Sequence, residues 1–180
     1  ANTLLISATP HDYFVENILK IDSGYIVRVP SFNQADYQIK FKDYDETVQA
    51  SPLILETISN DKTTFVITNT AQDAQLGFLL HQNKEQSVLL HSKYTKLDKS
   101  EWFNQVFDCF KRNGNLEYQV LRSGPIVQAS LNISCERMFT DLTSAENWLQ
   151  RLGRLDRFDS NKTVNTYTTV LPKSAESGKQ

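Results

Sequence analysis

Cysteine is scarce in this chain of 180 residues, which carries only Cys109 and Cys135. Two thiols cannot build a disulfide framework. No C-x-x-C or paired-histidine spacing offers a metal site either, so no metal ligands are assigned and a reducing cytoplasm is the expected setting. No apolar run is long enough to span a bilayer, and the start, Ala1-Asn2-Thr3-Leu4-Leu5-Ile6, has no basic-then-apolar leader; no membrane partner is expected. Charge of one sign is not in excess. Lys and Arg number 19 against 21 Asp and Glu, a formal net charge of -2, which excludes a histone-like or ribosomal-type protein and leaves nucleic-acid affinity to a local cluster. An initiator Met is missing, so the chain is expected to be a piece of a longer one. What is present is apolar material: 39% hydrophobic residues can bury a core, and a disordered tail is excluded.

Short apolar runs alternate with stretches of helical periodicity, which predicts an α/β fold with a mainly parallel sheet. Leu4-Leu5-Ile6 reads as a strand ending in Ser7-Ala8-Thr9-Pro10, followed by a helix carrying Phe14, Val15, Ile18 and Leu19. Tyr25–Val29 reads as a strand, Pro30–Tyr44 as a polar and aromatic connection, and Glu46–Ile58 as weakly helical with an early Pro52. Thr63–Thr68 is β-branched and aromatic, and helical spacing follows over Ala71–Leu80. Ser87–Leu90 is the next strand. Leu97, Trp102, Phe103, Val106, Phe107 and Phe110 then form an apolar stripe on a helix stopped by Asn113-Gly114. Tyr118–Leu121, Ile126-Val127, Met138–Thr140 and Val164–Leu171 are further strands, Ala145–Leu152 is a helix, and 172–180 is a flexible tail.

The segment Gln150-Arg151-Leu152-Gly153-Arg154-Leu155-Asp156-Arg157 places three arginines at the end of a helix. Cations there are mildly favoured by the helix dipole, so a solvated basic end is a sufficient explanation. The spacing asks for more. A glycine lets the backbone approach closely, and guanidinium forks bind phosphate oxygens bidentately.

This segment resembles motif VI of superfamily 2 helicases, in their second RecA-like domain. Neighbouring segments agree in order: Ser7-Ala8-Thr9 is similar to motif III, Val66-Ile67-Thr68-Asn69-Thr70 to motif IV, His91-Ser92 to motif IVa, Ser130-Leu131-Asn132-Ile133-Ser134 to motif V, and Thr140-Asp141-Leu142 to the strand before motif VI. Within that superfamily the run from Gln128 to Arg154 most resembles the CRISPR-associated helicase-nuclease of type I systems. Gln128, Asn132 and Gly124 depart from it, standing where an acidic residue, an aspartate and a threonine are common.

The resemblance implies a RecA-like fold, with residues 1–22 ending the first RecA-like domain and 23–171 forming the second. It implies ATP as cofactor, with Mg²⁺ ligated by the first domain outside this chain. It also implies single-stranded DNA, the first RecA-like and nuclease domains, and an RNA-guided surveillance complex as partners, in a prokaryotic cytoplasm. Carried over by position, Arg154 and Arg157 act on the γ-phosphate, and Gln150, Arg151, Gly153 and Asn132 belong to the nucleotide site. Asn69, Thr70, His91, Ser92 and Ser130 touch the nucleic acid, and Ser7, Ala8 and Thr9 couple the two. No G-x-x-x-x-G-K-[ST] loop is present, since Gly178-Lys179 is followed by Gln180, so the chain alone is expected to be inactive.

Blander readings stand beside these. Asn69 and Thr70 can simply cap a helix, His91 can be a satisfied structural histidine, and Lys93, Lys96 and Lys99 can be a solvated face. His11-Asp12 lacks the further ligands of a two-metal nuclease site. Two functional rivals remain: a non-catalytic RecA-like binding module, and a repair or RNA helicase of the same superfamily.

Overall fold

The computed structural model describes residues 12–20, 26–27, 35–55, 58–59, 61–81, 83–128, 131–161 and 163–176, in compact units 1–34 and 35–180. In the first unit Phe14–Ile18 form a π-helical turn, inside the expected helix. Of the strand expected over Tyr25–Val29, only Ile26 and Val27 are described, and neither is in a strand.

The second unit is one six-stranded sheet. Its strands are β1 (Tyr37–Tyr44), β2 (Thr64–Ile67), β3 (Ser87–Leu90), β4 (Val120–Ser123), β5 (Arg137–Asp141) and β6 (Asn165–Pro172), and its helices α1 (Pro52–Leu55), α2 (Ala71–Leu80), α3 (Lys96–Phe110), α4 (Ala145–Leu152) and α5 (Lys173–Glu176). The strand order is β1-β6-β5-β2-β4-β3, and every pairing is parallel. No helix among the described residues is long and apolar enough to cross a membrane.

Central β2 shows why the sheet forms: Thr-Phe-Val-Ile is buried at all four positions, as a strand covered on both faces requires. Phe65 and Ile67 join Val106, Cys109 and Phe110 of α3 on one face, with Trp148 and Leu152 of α4 packed alongside. Val66 points the other way, to Leu53 of α1, Val120 and Val170. The helices start where hydroxyls can cap them. Thr70, Thr95 and Ser144 accept the backbone N–H of Asp73, Asp98 and Asn147, each cap worth about 1 kcal/mol. After α3 the chain turns through Asn113 at φ 58°, and a Cβ on Gly114 would overlap the Cys109 carbonyl. Only glycine fits that turn.

The structure corrects several expectations. The connection read over Pro30–Tyr44 contains β1, whose first seven residues are exposed; Tyr37, Ile39 and Phe41 do alternate as in a strand, but the polar residues between and before them read equally as a connection. The helix read over Glu46–Ile58 shrinks to α1 because Pro52 suits a first helical position and disfavours helix before it. Ile126-Val127 lies in a 3₁₀ turn, Pro125–Gln128, where Pro125 fixes φ and offers no N–H to a ladder. On α3, Phe110 is buried and Trp102 and Phe103 pack against the core, whereas Leu97 is 85% exposed. Residue 172 belongs to β6, and α5 follows, with the Lys173 ammonium on Asp45 (2.8 Å) and the Ser174 N–H on Glu46 (3.0 Å).

His81, at the end of α2, is 3% exposed, and among the described residues neither ring nitrogen has a hydrogen-bond partner. Burial, and then the nearby Arg122 guanidinium, push its pKa below the usual 6.5; burial and Lys93 do the same to His91. A depressed folded-state pKa contributes stability that is complete above about pH 6.5 and lost as pH falls through the folded value. Unfolding free energy is therefore expected to fall from pH 7 to pH 5, and His81→Leu to flatten that slope. A slope unchanged by the substitution in chemical-denaturation curves would remove His81 from this role.

Candidate functional site

The chain leaves β2 toward α2 and β3 on one side of the sheet, and leaves β5 toward α4 and β6 on the other. β2 and β5 are neighbours, with Ile67 opposite Thr140. Their carboxyl ends therefore form a topological switch point, the position where open α/β sheets place ligands. Asn69 emerges from one strand and Asp141-Leu142 from the other. A cleft of about 450 Å³ beside them is lined by Tyr44, Ser51, Asn69, Asp73, Asp141 and Leu142, among others.

Asn69 is tied at every polar atom of its side chain. Its Nδ2 donates to the Leu142 carbonyl (2.6 Å), its Oδ1 accepts from Arg151 Nη2 (3.0 Å), and its backbone N–H donates to Asp141 Oδ2 (2.8 Å). Arg151 is 1% exposed, and its Nη1 donates to Thr140 Oγ1 (2.6 Å) and the Asp141 carbonyl (3.3 Å). Burial lowers the Arg151 pKa, and burial raises that of Asp141 against the Asn69 N–H and Arg151, which pull it down. One guanidinium thus staples motif IV to motif VI through the end of β5.

A second cluster forms where α4 ends. Arg154 is 7% exposed and donates through Nη1 to the Leu131 carbonyl. Burial, then the neighbouring Arg157 charge, lowers its pKa to about 10, so it stays cationic at neutral pH. Cys135 and Leu155 pair as a parallel bridge that sets the motif V segment against motif VI. Arg157, half-buried, donates through Nε to Asn132 Oδ1 and through Nη1 to the Gly153 carbonyl (3.0 Å), while its backbone N–H donates to Ser134 Oγ (2.9 Å). Gly153 is exposed and closes α4. Gln150 donates to Glu146 one turn back (3.3 Å).

The remaining predicted site residues fall elsewhere. The Thr70 hydroxyl accepts from Asp73 N–H (3.1 Å) and donates to its Oδ2 (2.6 Å). His91 is buried at the end of edge strand β3: Nδ1 accepts the Lys93 N–H (3.1 Å), Nε2 lies 2.8 Å from the Gln75 side-chain amide, and the ring stacks on Tyr94 at 3.9 Å. Ser92 is exposed, and Lys99 sits over the Phe103 ring. Ser7, Ala8, Thr9, His11 and Ser130 lie outside the described residues, as does the Gln128 side chain.

Sequence reasoning missed Asp156, whose 1% exposed carboxylate accepts from the Ser160 N–H (2.8 Å), the Asn161 N–H (3.2 Å) and Asn165 Nδ2 (3.2 Å). It fixes the loop leaving Arg157. The run Asp156-Arg157-Phe158-Asp159-Ser160-Asn161 has the composition of side-chain-capped turns, which was the available signal.

A family model, described as the C-terminal part of the CRISPR-associated nuclease/helicase Cas3, matches residues 60–160, more than half of the chain. The chain belongs to this Cas3 C-terminal family. A putative Cas3 of Methanocaldococcus jannaschii is 24% identical over 168 residues, 86% of this chain and 22% of the relative. The Cas3-like chain spans about one fifth of the length of the curated relatives it matches. Among solved structures, T. fusca Cas3–ADP superposes with a TM-score of 0.65 at 18% identity, over 82% of this chain and 19% of that one. A chain of a structure described as a CRISPR RNA-guided surveillance complex, pre-nicking, gives 0.63 at 21% identity, over 82% of this chain and 20% of that one. The C-terminal domain of the DEAD-box protein Dbp5 gives 0.55 at 12% identity over 81% of each chain. At these identities the likenesses establish the fold, which is that of a RecA-like helicase C-terminal domain.

Proposed function

We propose that this Cas3-like chain is the second RecA-like domain of a longer ATP-dependent helicase-nuclease, which translocates on single-stranded DNA and degrades it after recruitment by an RNA-guided surveillance complex. Residues 1–22 are assigned to the end of the first RecA-like domain, which also supplies the Mg²⁺ ligands. The observation that carries the reading is the state of Arg157. Its guanidinium rests on two neutral acceptors, the Asn132 amide and the Gly153 carbonyl, and has no carboxylate partner among the described residues. A half-buried cation held in place without a counter-charge fits the phosphates of a nucleotide. The solved relatives include T. fusca Cas3 with ADP and with ATP, which supports the same ligand here.

ATP, when bound, supplies the phosphoryl group whose transfer to water drives translocation. This chain's part is electrostatic and positional: Arg157 presents charge toward the developing negative charge, Gln150 flanks it near the end of α4, and Arg154, expected with Arg157 on the γ-phosphate, is buried against the Leu131 carbonyl and is assigned instead to buttressing the motif V turn. Arg151 joins this region to the switch point, so closure of two domains on a nucleotide reaches the DNA-facing end of the sheet.

The non-catalytic reading has one observation in its favour. Asn69, Thr70 and His91, expected on the DNA, are all bonded within the domain. ATP hydrolysis by the longer protein, with and without single-stranded DNA, separates the two: DNA-stimulated turnover is expected, and a protein with no hydrolysis under either condition is a binding module.

A further inference from the structure

We propose that Asn132 is a positioning residue: it aims Arg157 and acts on a bound nucleotide only through that guanidinium. This rests on the nucleotide-hydrolysing reading above. Three contacts fix Arg157. Asn132 Oδ1 takes the Nε–H, the Gly153 carbonyl takes Nη1, and Ser134 Oγ takes the backbone N–H. A guanidinium is planar, so holding Nε and Nη1 sets the direction of the whole fork and leaves the Nη2 edge for an anion. The acceptor is an amide, which directs the arginine without cancelling its charge. Asn132 itself is exposed, so its removal opens no cavity, and the motif V segment keeps the Cys135–Leu155 bridge.

The alternative is that Asn132 touches the nucleotide directly, and a double-mutant cycle in the longer protein distinguishes the two. Asn132→Ala is expected to lower kcat by roughly 10²-fold, the scale of a misaimed group, with KM little changed. In the Arg157→Ala background it is expected to cost nothing further. Asn132→Asp keeps an oxygen at the same place and is expected to restore the aim. A readout independent of turnover is the rate at which phenylglyoxal modifies Arg157 in nucleotide-free protein, followed by peptide mass spectrometry. That rate is expected to rise several-fold in Asn132→Ala and to return to the wild-type value in Asn132→Asp. An Asn132→Ala loss that persists undiminished without Arg157, or an Arg157 modification rate indifferent to residue 132, overturns the proposal. If instead Arg157→Ala leaves hydrolysis untouched, the nucleotide reading of Arg157 fails, while the modification rates still decide whether Asn132 holds it.

Discussion

Arg157→Ala in the longer protein is expected to lower DNA-stimulated ATP turnover by about 10³- to 10⁵-fold, the range seen when a charge-stabilising arginine is removed from a phosphoryl-transfer site. Nucleotide affinity should change far less, because a group that acts on the transition state contributes to kcat rather than to ground-state binding. Folding should also survive. Arg157 is half-buried, and its bonds end on the Asn132 amide and the Gly153 carbonyl, so its loss strands no buried charge. Arg157→Lys should recover little, since a single ammonium cannot bond Asn132 and Gly153 while presenting a third edge. The check is a pair of measurements on the same preparation, steady-state hydrolysis and equilibrium binding of a fluorescent nucleotide. Turnover within tenfold of wild type would end the assignment of Arg157 to the reaction.

Arg151→Ala is expected to fail in the opposite way, through stability. Arg151 is 1% exposed and bonds Thr140 Oγ1, the Asp141 carbonyl and Asn69 Oδ1. Its removal leaves those acceptors without their donor and takes from the half-buried Asp141 carboxylate a nearby attractive charge. Breaking such a buried cation out of its network costs about 3–5 kcal/mol, and in a domain of this size each kcal/mol lowers the melting temperature by about 2–4 °C. The loss should be local at first. Hydrogen exchange should quicken at the start of α2 and along β5 and α4 before it does in β3 and β4. A loss of stability below about 1 kcal/mol would mean that Asn69 and Asp141 hold each other without Arg151, as in an ordinary exposed pair.

The sequence made the central strands and all three long helices legible, because buried parallel strands and capped helices announce themselves. Ala71–Leu80 and Ala145–Leu152 are observed with the boundaries that their periodicity and caps imply. β1 went unread although Tyr37, Ile39 and Phe41 alternate as in a strand; at the sheet edge they remain exposed, so pattern there does not report a buried face. The resemblance to motifs V and VI put Asn132, Gly153, Arg154 and Arg157 in one site, and the structure brings Asn132, Gly153 and Arg157 into contact. It could not say which polar groups are consumed by the fold. The Thr70–Asp73 cap spans three residues and is a local signal, but Asn69 looks like a free donor in a turn while the carboxylate that takes its backbone N–H, Asp141, is 72 residues away. Long-range partners of this kind follow from the sheet order, which local pattern does not encode.

That sheet order also bears on how the domain is made. Among the described residues β1 pairs only with β6, in the register Tyr37 opposite Asn165 through Tyr44 opposite Pro172. On a translating ribosome β1 emerges first and its partner last, separated by about 120 residues, or on the order of ten seconds at about 5–20 residues per second. During that wait a strand carrying Tyr37, Ile39 and Phe41 has no mate. Lys40, Lys42 and Asp43, interleaved along the same strand, are the charges that keep it from pairing with a neighbouring nascent chain.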